Sequence, residues 1–266
     1  MTRRPSHHRT PRAAWLALLI AAAGAASACS DASDPTTGTH IGNPGELEFR
    51  VSSALTAADG EVRSRDASGT DFTFTEILIH VRDVELDLPA GVTCADVEGE
   101  LQGARCDRDS LKVVLDGPFV LDLLNRTSTP ALDARLPALS WRRIDFRLDD
   151  AEGATGDPLL DAHSFAARGD FERDGQMVAL EVQLRFNEDA RVESPGGVQL
   201  ADGDRLIVDF DAGAWLTGLS IGGCLDRGDL SLDGDRLRID DDSDCDDLEK
   251  TLKDNIKNST SLLSDD

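Results

Sequence analysis

Apolar and polar residues alternate along most of the chain between residues 46 and 240. The segment ELEFRV places Leu47, Phe49 and Val51 on one side of an extended backbone, and RRIDFRL (142–148) and MVALEVQLRF (177–186) repeat the pattern. A period of two is typical of strands with one buried and one solvated face, which suits antiparallel sheets. The alternation therefore predicts an all-β domain.

One apolar segment, FTFTEILIHVRDVELDL (72–88), changes phase twice. Its large apolar residues fall into three sets: Phe72 and Phe74; Ile77, Ile79 and Val81; Val84, Leu86 and Leu88. A β-bulge, or a strand that crosses between two sheets, explains such shifts. His80 lies out of phase with Ile79 and Val81, and we expect it to face solvent.

Further strands are predicted at 111–115, 119–123, 163–168, 206–210, 215–221 and 229–239. Turn signals occur at Asp116-Gly117, Asp174-Gly175, Pro195-Gly196 and Asp233-Gly234. Nine to eleven short strands in residues 46–240 are typical of an antiparallel β-sandwich, either one sandwich or two small ones in tandem.

The C-terminal segment, residues 241–266, carries the only strong helix signal. Ser243 or Asp244 is a suitable N-cap, and Leu248, Leu252 and Ile256 form one apolar stripe. We predict a short α-helix here, followed by a tail.

Residues 1–28 have the pattern of an export signal, with a basic start followed by an apolar run from residue 13 to residue 26. The run is too short for a membrane-spanning helix. Ala26-Ser27-Ala28-Cys29 resembles the bacterial lipobox, which predicts a lipoprotein signal peptide and an acylated Cys29. The alternative is ordinary secretory cleavage after Ala28, which leaves Cys29 without lipid.

Under the lipoprotein interpretation, two or more acyl chains give stable membrane anchoring. Residues 29–45 are rich in Ser, Asp, Thr, Gly and Pro, and predict a disordered tether. Ser30, directly after Cys29, resembles the sorting signal for the outer membrane. We therefore expect a lipid-anchored protein of the bacterial cell envelope, at the outer membrane.

Charge narrows the range of partners. Without the four arginines of residues 1–28, 23 basic side chains face 51 acidic ones, a net charge of −28. Such a chain repels nucleic acid and anionic lipid surfaces. The predicted partners are the membrane, through the N-terminal lipid, and an envelope protein or glycan.

Four cysteines remain beside Cys29: Cys94, Cys106, Cys224 and Cys245. An even number in an exported chain indicates disulfides, and three pairings are possible. The local pairs, Cys94 with Cys106 and Cys224 with Cys245, are the simplest. A zinc site is the alternative, but neither pair has CxxC spacing and no histidine lies near.

Four sequence blocks resemble a bacterial extracytoplasmic domain family of unknown function. They are FTEILIHVRDVEL (74–86), FVLDLLNRT (119–127), ARLPALSWRRIDFRLDD (134–150) and GVQLADGDRLIVDFDAGAWL (197–216). Two departures are Leu139-Ser140-Trp141, where the family has Gly-x-Tyr, and a cysteine-containing insertion between the first two blocks. The resemblance implies a prealbumin-like or immunoglobulin-like sandwich, and it implies no catalytic residues.

The residues themselves predict no catalytic site. His163 and Ser164 are adjacent, but neighbouring side chains of a strand point to opposite faces. The weak metal candidates are six aspartates near the C-terminus, since clustered carboxylates suit Ca²⁺: Asp226, Asp229, Asp233, Asp235, Asp240 and Asp242. Their spacing does not fit an EF-hand, and a solvated acidic segment explains them without a metal.

Tryptophan can serve as a platform for sugars, but the mature chain has no Tyr and only Trp141 and Trp215. Trp215 is predicted to lie in the core and Trp141 at an exposed turn. The sequence thus predicts a non-catalytic binding or structural module with an unknown ligand and no cofactor. The alternatives are an extracytoplasmic hydrolase and a calcium-stabilised, adhesion-like module.

Overall fold

The computed structural model describes residues 45–55, 61–151, 158–201, 203–243 and 245–265. The predicted signal peptide (1–28), Cys29 and the tether up to residue 44 lie outside the described residues. The described part belongs to one compact unit.

The described residues are mostly β-structure. The strands are β1 (Gly45–Ser52), β2 (Val62–Arg65), β3 (Asp71–Asp87), β4 (Arg105–Asp107), β5 (Lys112–Asp122), β6 (Thr127–Thr129), β7 (Arg135–Leu136), β8 (Ser140–Leu148), β9 (Phe165–Arg173), β10 (Gln176–Leu184), β11 (Glu188–Gln199), β12 (Arg205–Asp211), β13 (Arg236–Ile239) and β14 (Thr260–Ser264). The helices are α1 (Cys94–Val97), α2 (Ile221–Arg227) and α3 (Leu248–Asn258), with one 3-10 turn at Ala212–Ala214.

These strands form two sheets. The smaller sheet has the order β14-β12-β1-β7, and the larger sheet contains β11-β8-β3-β9-β10-β13, with β2, β5, β4 and β6 joined through β3 and β5. Most pairs are antiparallel, as the alternation predicts. However, β1 pairs with β12 and β10 pairs with β13 in parallel. Both sheets are therefore mixed.

Both sheets contribute to one apolar core. The ring of Phe49 in β1 lies edge-on to the ring of Phe146 in β8, with centroids 5.6 Å apart, and Phe146 also contacts Phe210 of β12. Trp141 and Trp215 are fully buried. The prediction that Trp215 lies in the core is confirmed. The exposed position expected for Trp141 is wrong, because the Trp141 side chain points from β8 into the core.

The two phase shifts in the long apolar segment are two bulges in one continuous strand, β3. Its pairing shifts register between Phe74 and Glu76 against β9, and between Val81 and Asp83 against β5. Each bulge returns the apolar side chains to the core face.

A glycine of the neighbouring strand accommodates each bulge. A Cβ on Gly169 of β9 would lie 1.9 Å from the carbonyl oxygen of Thr73, and one on Gly117 of β5 would lie 1.9 Å from that of Arg82. The predicted turn at Asp116-Gly117 is therefore wrong. Gly117 lies inside β5, which joins the two predicted strands at 111–115 and 119–123.

The reverse side of β3 is covered as well. Leu78 packs with Ala151, Leu159, Leu160 and Ala166 in a second, small apolar cluster. His80 is also buried, and its Nδ1 lies 2.6 Å from the carbonyl oxygen of Asp149. The expectation of a solvent-facing His80 is wrong because the segment after β8 folds over this part of the sheet.

The C-terminal region differs from its sequence pattern in three places. Residues 215–221 form turns that lead into α2, and only Arg236–Ile239 of the segment 229–239 forms a strand. Helix α3 is confirmed with Leu248, Leu252 and Ile256 buried, but its N-cap is Asp247 rather than Ser243 or Asp244. The tail forms β14, which pairs with β12.

Two disulfides join the local cysteine pairs that the sequence favours. Cys94, at the start of α1, is bonded to Cys106 in β4, and Cys224 in α2 is bonded to Cys245 before α3. The second disulfide attaches the α3 region to α2. In the chain-entropy model, each closed loop contributes roughly 3 kcal/mol to stability.

Candidate functional site

A cleft of about 430 Å³ opens between the two sheets beside β1. One wall is β1 itself, and the opposite wall is formed by β5, β6 and the segment that leads to β7. We call it the β1 cleft. Its lining residues are Glu46, Leu47, Glu48, Phe49, Leu121, Arg126, Thr127, Ser128, Ala131, Leu132, Asp133 and Arg205.

Glu48 is the central polar residue of the β1 cleft. Alternation along β1 sends Leu47 and Phe49 into the core and turns Glu48 outward, yet the Glu48 side chain is only 10% exposed. Its Oε2 accepts a hydrogen bond from Arg205 Nη1 at 2.5 Å. Its Oε1 is buried and has no hydrogen-bond partner among the described residues. A buried carboxylate oxygen without a donor is costly, which marks this atom as a candidate ligand contact.

Two arginines frame Glu48, and they differ in how far their charges are satisfied. Arg205 binds Glu48 and also donates to Asp265 through Nε at 2.7 Å. The hydrogen bond with Asp265, followed by the charge of Glu48, raises the pKa of Arg205 above its ordinary value. Within the described ranges, Arg126 has a single ion pair, at 3.7 Å with Glu48 Oε1, and its side chain is half exposed.

Arg126 also has a backbone conformation that non-glycine residues rarely adopt. It has φ of 55° in the turn between β5 and β6. The left-handed region costs an ordinary residue roughly 1 kcal/mol. The fold tolerates this cost at the position that directs an arginine into the β1 cleft.

The backbone of β1 contributes an open edge to the cleft. The Glu46 amide donates to the Asp204 carbonyl beside β12, so alternate residues of β1 bond toward β12. The backbone amides and carbonyls of Leu47 and Phe49 therefore point to the other edge, at the cleft, although their side chains lie in the core. Strand β7 covers this edge only at Gly45 and Glu46, and the Val51 amide donates to the Leu123 carbonyl. Between these two points, no described strand pairs with β1 on the edge opposite β12.

A second cleft, of about 450 Å³, lies on the outer face of the larger sheet. We call it the ion-pair face. Its lining residues are Asp83, Glu85, Lys112, Arg143, Asp145, Phe146, Arg147, Asp189 and Arg191. The charges alternate in sign across β3, β5, β8 and β11, so that each charged side chain in this list has an ion-pair partner.

Asp145 is the centre of the ion-pair face. Its carboxylate accepts hydrogen bonds from Arg143 Nη2 at 2.7 Å and from Arg191 Nε at 2.9 Å, and Lys112 Nζ lies 3.4 Å away. Partial burial by itself would raise the pKa of Asp145. The hydrogen bonds from Arg143 and Arg191 outweigh burial and hold the pKa of Asp145 below its ordinary value.

The Asp209-Phe210-Asp211-Ala212 motif has structural roles. Asp209 is buried, and it accepts hydrogen bonds from Arg50 Nε at 2.7 Å and Ser52 Oγ at 2.6 Å across the parallel β1–β12 pair. Asp211 caps the 3-10 turn by accepting from the Gly213 amide. These contacts explain the motif without a ligand.

Three of the six aspartates predicted as weak calcium ligands form ion pairs with arginines. Asp226 binds Arg173 at 2.8 Å, Asp229 binds Arg227 at 2.7 Å and Asp240 lies 3.2 Å from Arg238. The others, Asp233, Asp235 and Asp242, lie in the turns before and after β13. Within the described ranges, the structure does not bring three of these six carboxylates within metal-binding distance of one another.

The group of potential metal ligands that does come together is Cys224, Cys245 and Asp246. Its two sulfurs form a disulfide, and Asp246 is paired with Arg227 at 2.6 Å. Disulfide sulfurs are not thiolates, which are the form that binds metals. This group therefore does not form a metal centre in the oxidised chain.

Ser164 and His163 do not form a nucleophile and base pair. Ser164 is fully buried, where its hydroxyl donates to the Leu184 carbonyl and accepts from the Phe186 amide. His163 Nδ1 lies 2.6 Å from the carbonyl oxygen of Asp161. The two side chains thus have separate, local partners.

Sequence reasoning missed the β1 cleft. Glu48 follows the polar phase of β1 and resembles any solvated charge. Arg126 and Arg205 lie far from Glu48 along the chain and carry no motif. The one available signal was a charged residue inside the first strand, which is too common to identify a site.

No helix in the described ranges is long and apolar enough to span a membrane. Comparisons with known protein families, with curated proteins and with solved structures found no match. The family resemblance of the four sequence blocks stays a prediction.

Proposed function

We propose that the chain is a non-catalytic binding module of the bacterial cell envelope, anchored through an acylated Cys29, and that it binds its ligand in the β1 cleft. Two sheets around a shared core support a sandwich of the immunoglobulin-like or prealbumin-like kind, with two parallel pairs as departures from it. The ligand-facing atoms are Glu48 Oε1 and the Arg126 guanidinium.

The observation that carries this proposal is the buried Glu48 Oε1, which has no hydrogen-bond partner among the described residues. A ligand that donates a hydrogen bond to Oε1 would satisfy the buried carboxylate. Arg126 is close enough to share in the contact. The Ser128 Oγ accepts from the Leu132 amide, and its hydroxyl proton remains a possible donor to a ligand. The cleft thus combines a buried acceptor with donors on its rim.

The proposal is tested by ligand retention. The chain from residue 30 onward is incubated with a bacterial envelope extract, repurified and examined by native mass spectrometry. We expect a bound species on the unmodified chain and its loss from Ala131→Trp, which fills the β1 cleft. Ala90→Trp, on an exposed turn after β3, is the matched control. Equal retention by both variants would place binding elsewhere.

The anchor is tested separately, by labelling cells with radioactive palmitate. We expect label on the unmodified chain and on Ser30→Ala, and no label on Cys29→Ala. Label that persists on Cys29→Ala would contradict the anchor, and so would an unlabelled wild type.

A hydrolase is the second candidate, and one observation favours it. The β1 cleft gathers three carboxylates, those of Glu46, Glu48 and Asp133. Paired carboxylates carry out the hydrolysis of glycosidic bonds. If the species retained from the extract is processed over time, and Glu48→Gln and Asp133→Asn both stop the processing, the hydrolase replaces the binding module.

A further inference from the structure

We infer that the ligand of the β1 cleft is an extended peptide segment that pairs with the open edge of β1 and places a basic side chain at Glu48. This inference rests on the proposed function of the cleft. Glu48 Oε1, to which no described residue donates a hydrogen bond, indicates that a ligand donates one there, and the strand edge adds which class of ligand it is.

The backbone of β1 supplies the first argument. The open stretch lies between the point where β7 pairs with Gly45 and Glu46 and the point where Val51 bonds to Leu123. Its cleft-facing residues are Leu47 and Phe49, so it spans about 10 Å at roughly 3.3 Å per residue. An unpaired strand edge is a template for a further strand, and this edge has room for about three residues.

The walls of the cleft match the side chains that such a strand would present. Side chains of an added strand alternate between the two faces of the sheet. One face meets Glu46 and Glu48, and the other meets the apolar side chains of Leu121 and Leu132. The matching ligand pattern is apolar, basic, apolar.

Charge favours a basic central residue. No described cation forms an ion pair with Glu46 or Asp133, whereas Arg205 is already shared between Glu48 and Asp265. An ammonium group would donate to Glu48 Oε1, which has an ion pair with Arg126 at 3.7 Å but no hydrogen-bond partner among the described residues. The overall charge of the chain, −24 with its N-terminal arginines included, also attracts cationic ligands.

A carbohydrate is the competing class, and the surface disfavours it. Sugar sites use exposed aromatic rings as stacking platforms. All nine phenylalanines, together with Trp141 and Trp215, are buried, and the chain has no tyrosine. The described surface therefore offers no such ring, while it does offer an unpaired strand edge.

The inference is tested with the pentapeptide Ac-Ser-Val-Lys-Val-Ser-NH2 and the chain from residue 30 onward. We expect saturable binding by calorimetry, with slower amide exchange at Leu47 and Phe49 in the complex. Replacing the peptide's Lys by Glu should weaken binding at least tenfold. N-methylation of the Lys and second Val amides should also weaken it at least tenfold, because neighbouring amides point to opposite edges of a strand and one of these two therefore faces β1 in either register.

Variants of the protein separate the cleft from the rest of the surface. Ala131→Trp and Glu48→Gln should each lower affinity at least tenfold, whereas Ala90→Trp should bind as the unmodified chain does. If the N-methylated peptide binds equally well, strand pairing is wrong. If no peptide binds but the cleft retains extract material, the peptide class is wrong and the proposed function stands. If Ala131→Trp changes neither result, both fail.

Discussion

The β1 cleft and the ion-pair face are similar in volume and both are lined by charged side chains, yet they differ in how those charges are satisfied. On the ion-pair face, Asp145 has three cations around it. In the β1 cleft, no described residue donates a hydrogen bond to Glu48 Oε1, and no described strand pairs with the β1 edge between Glu46 and Val51. The difference indicates that the first surface stabilises the fold and that the second has bonding capacity left for a ligand.

The comparison depends on the position of each carboxylate in its sheet. Asp145 lies in β8 between two neighbouring strands, β3 and β11. Its cations come from three strands: Arg143 from β8 itself, Arg191 from β11, and Lys112 from β5, which pairs with the same β3. Glu48 lies in β1, whose neighbour on one side ends after two residues. The β1 cleft lies beside the part of β1 that β7 does not cover, and Glu48 therefore has no neighbouring strand on that side to supply a further cation.

We expect the largest loss of stability from a substitution at Gly117, which packs against the β3 bulge beneath the ion-pair face. Gly117→Val would place a Cβ 1.9 Å from the Arg82 carbonyl oxygen at the bulge that precedes Asp83. Because backbone must move, we expect a loss of roughly 3 kcal/mol or more in the free energy of unfolding, measured by urea denaturation. Gly196→Val is the control, since a Cβ there meets nothing within 4 Å. Equal losses would refute the explanation.

Asp145→Ala should have the next largest effect. It leaves Arg143, Arg191 and Lys112 without their common partner, and we expect a loss of about 1 to 3 kcal/mol in the free energy of unfolding. Asp83→Ala removes an exposed 3.7 Å pair with Arg82, and should cost less than about 0.5 kcal/mol. Similar values for the two variants would show that the network adds nothing to its individual pairs.

The contribution of Asp145 should also depend on pH. Its pKa is lowered in the folded protein, so its stabilisation is fully present above the unfolded value of about 3.9 and is lost as pH falls through the folded value. The stability difference between the unmodified chain and Asp145→Asn should be constant from about pH 5 to 8 and shrink below about pH 4. A difference that grows on acidification would contradict this sign.

Glu48→Gln should barely change stability, in contrast to its effect on ligand binding. Gln keeps the shape and can still accept from Arg205, which also retains Asp265. We expect a change of less than about 1 kcal/mol by urea denaturation. A larger loss, above that of Asp145→Ala, would mean that the two clefts have the same structural role.

Calcium should have the smallest effect. Three of the six aspartates in the C-terminal segment already bind arginines, and the structure does not gather the carboxylates. We expect the thermal melts with Ca²⁺ and with EDTA to coincide. A difference of several degrees would restore the calcium-stabilised alternative and add a third site to the comparison.

Much of the architecture was accessible from local patterns. Alternation identified β1, β8 and β10, the phase shifts identified the β3 bulges, and one apolar stripe identified α3. Patterns failed where distant parts of the chain decide the outcome. Gly117 resembles a turn residue until Arg82 packs against it, and β14 is recognisable only through its pairing with β12.

By itself, the sequence determined which residues favour extended structure and which cysteines are close enough along the chain to pair locally. It also predicts the export signal and the acylated Cys29. These properties depend on neighbours within a few residues or on composition. Only the tertiary structure decided which strands pair, which edge of β1 stays open, and that Arg126 and Arg205 meet at Glu48. Those contacts join residues up to 157 positions apart, and side-chain periodicity carries no information over such distances.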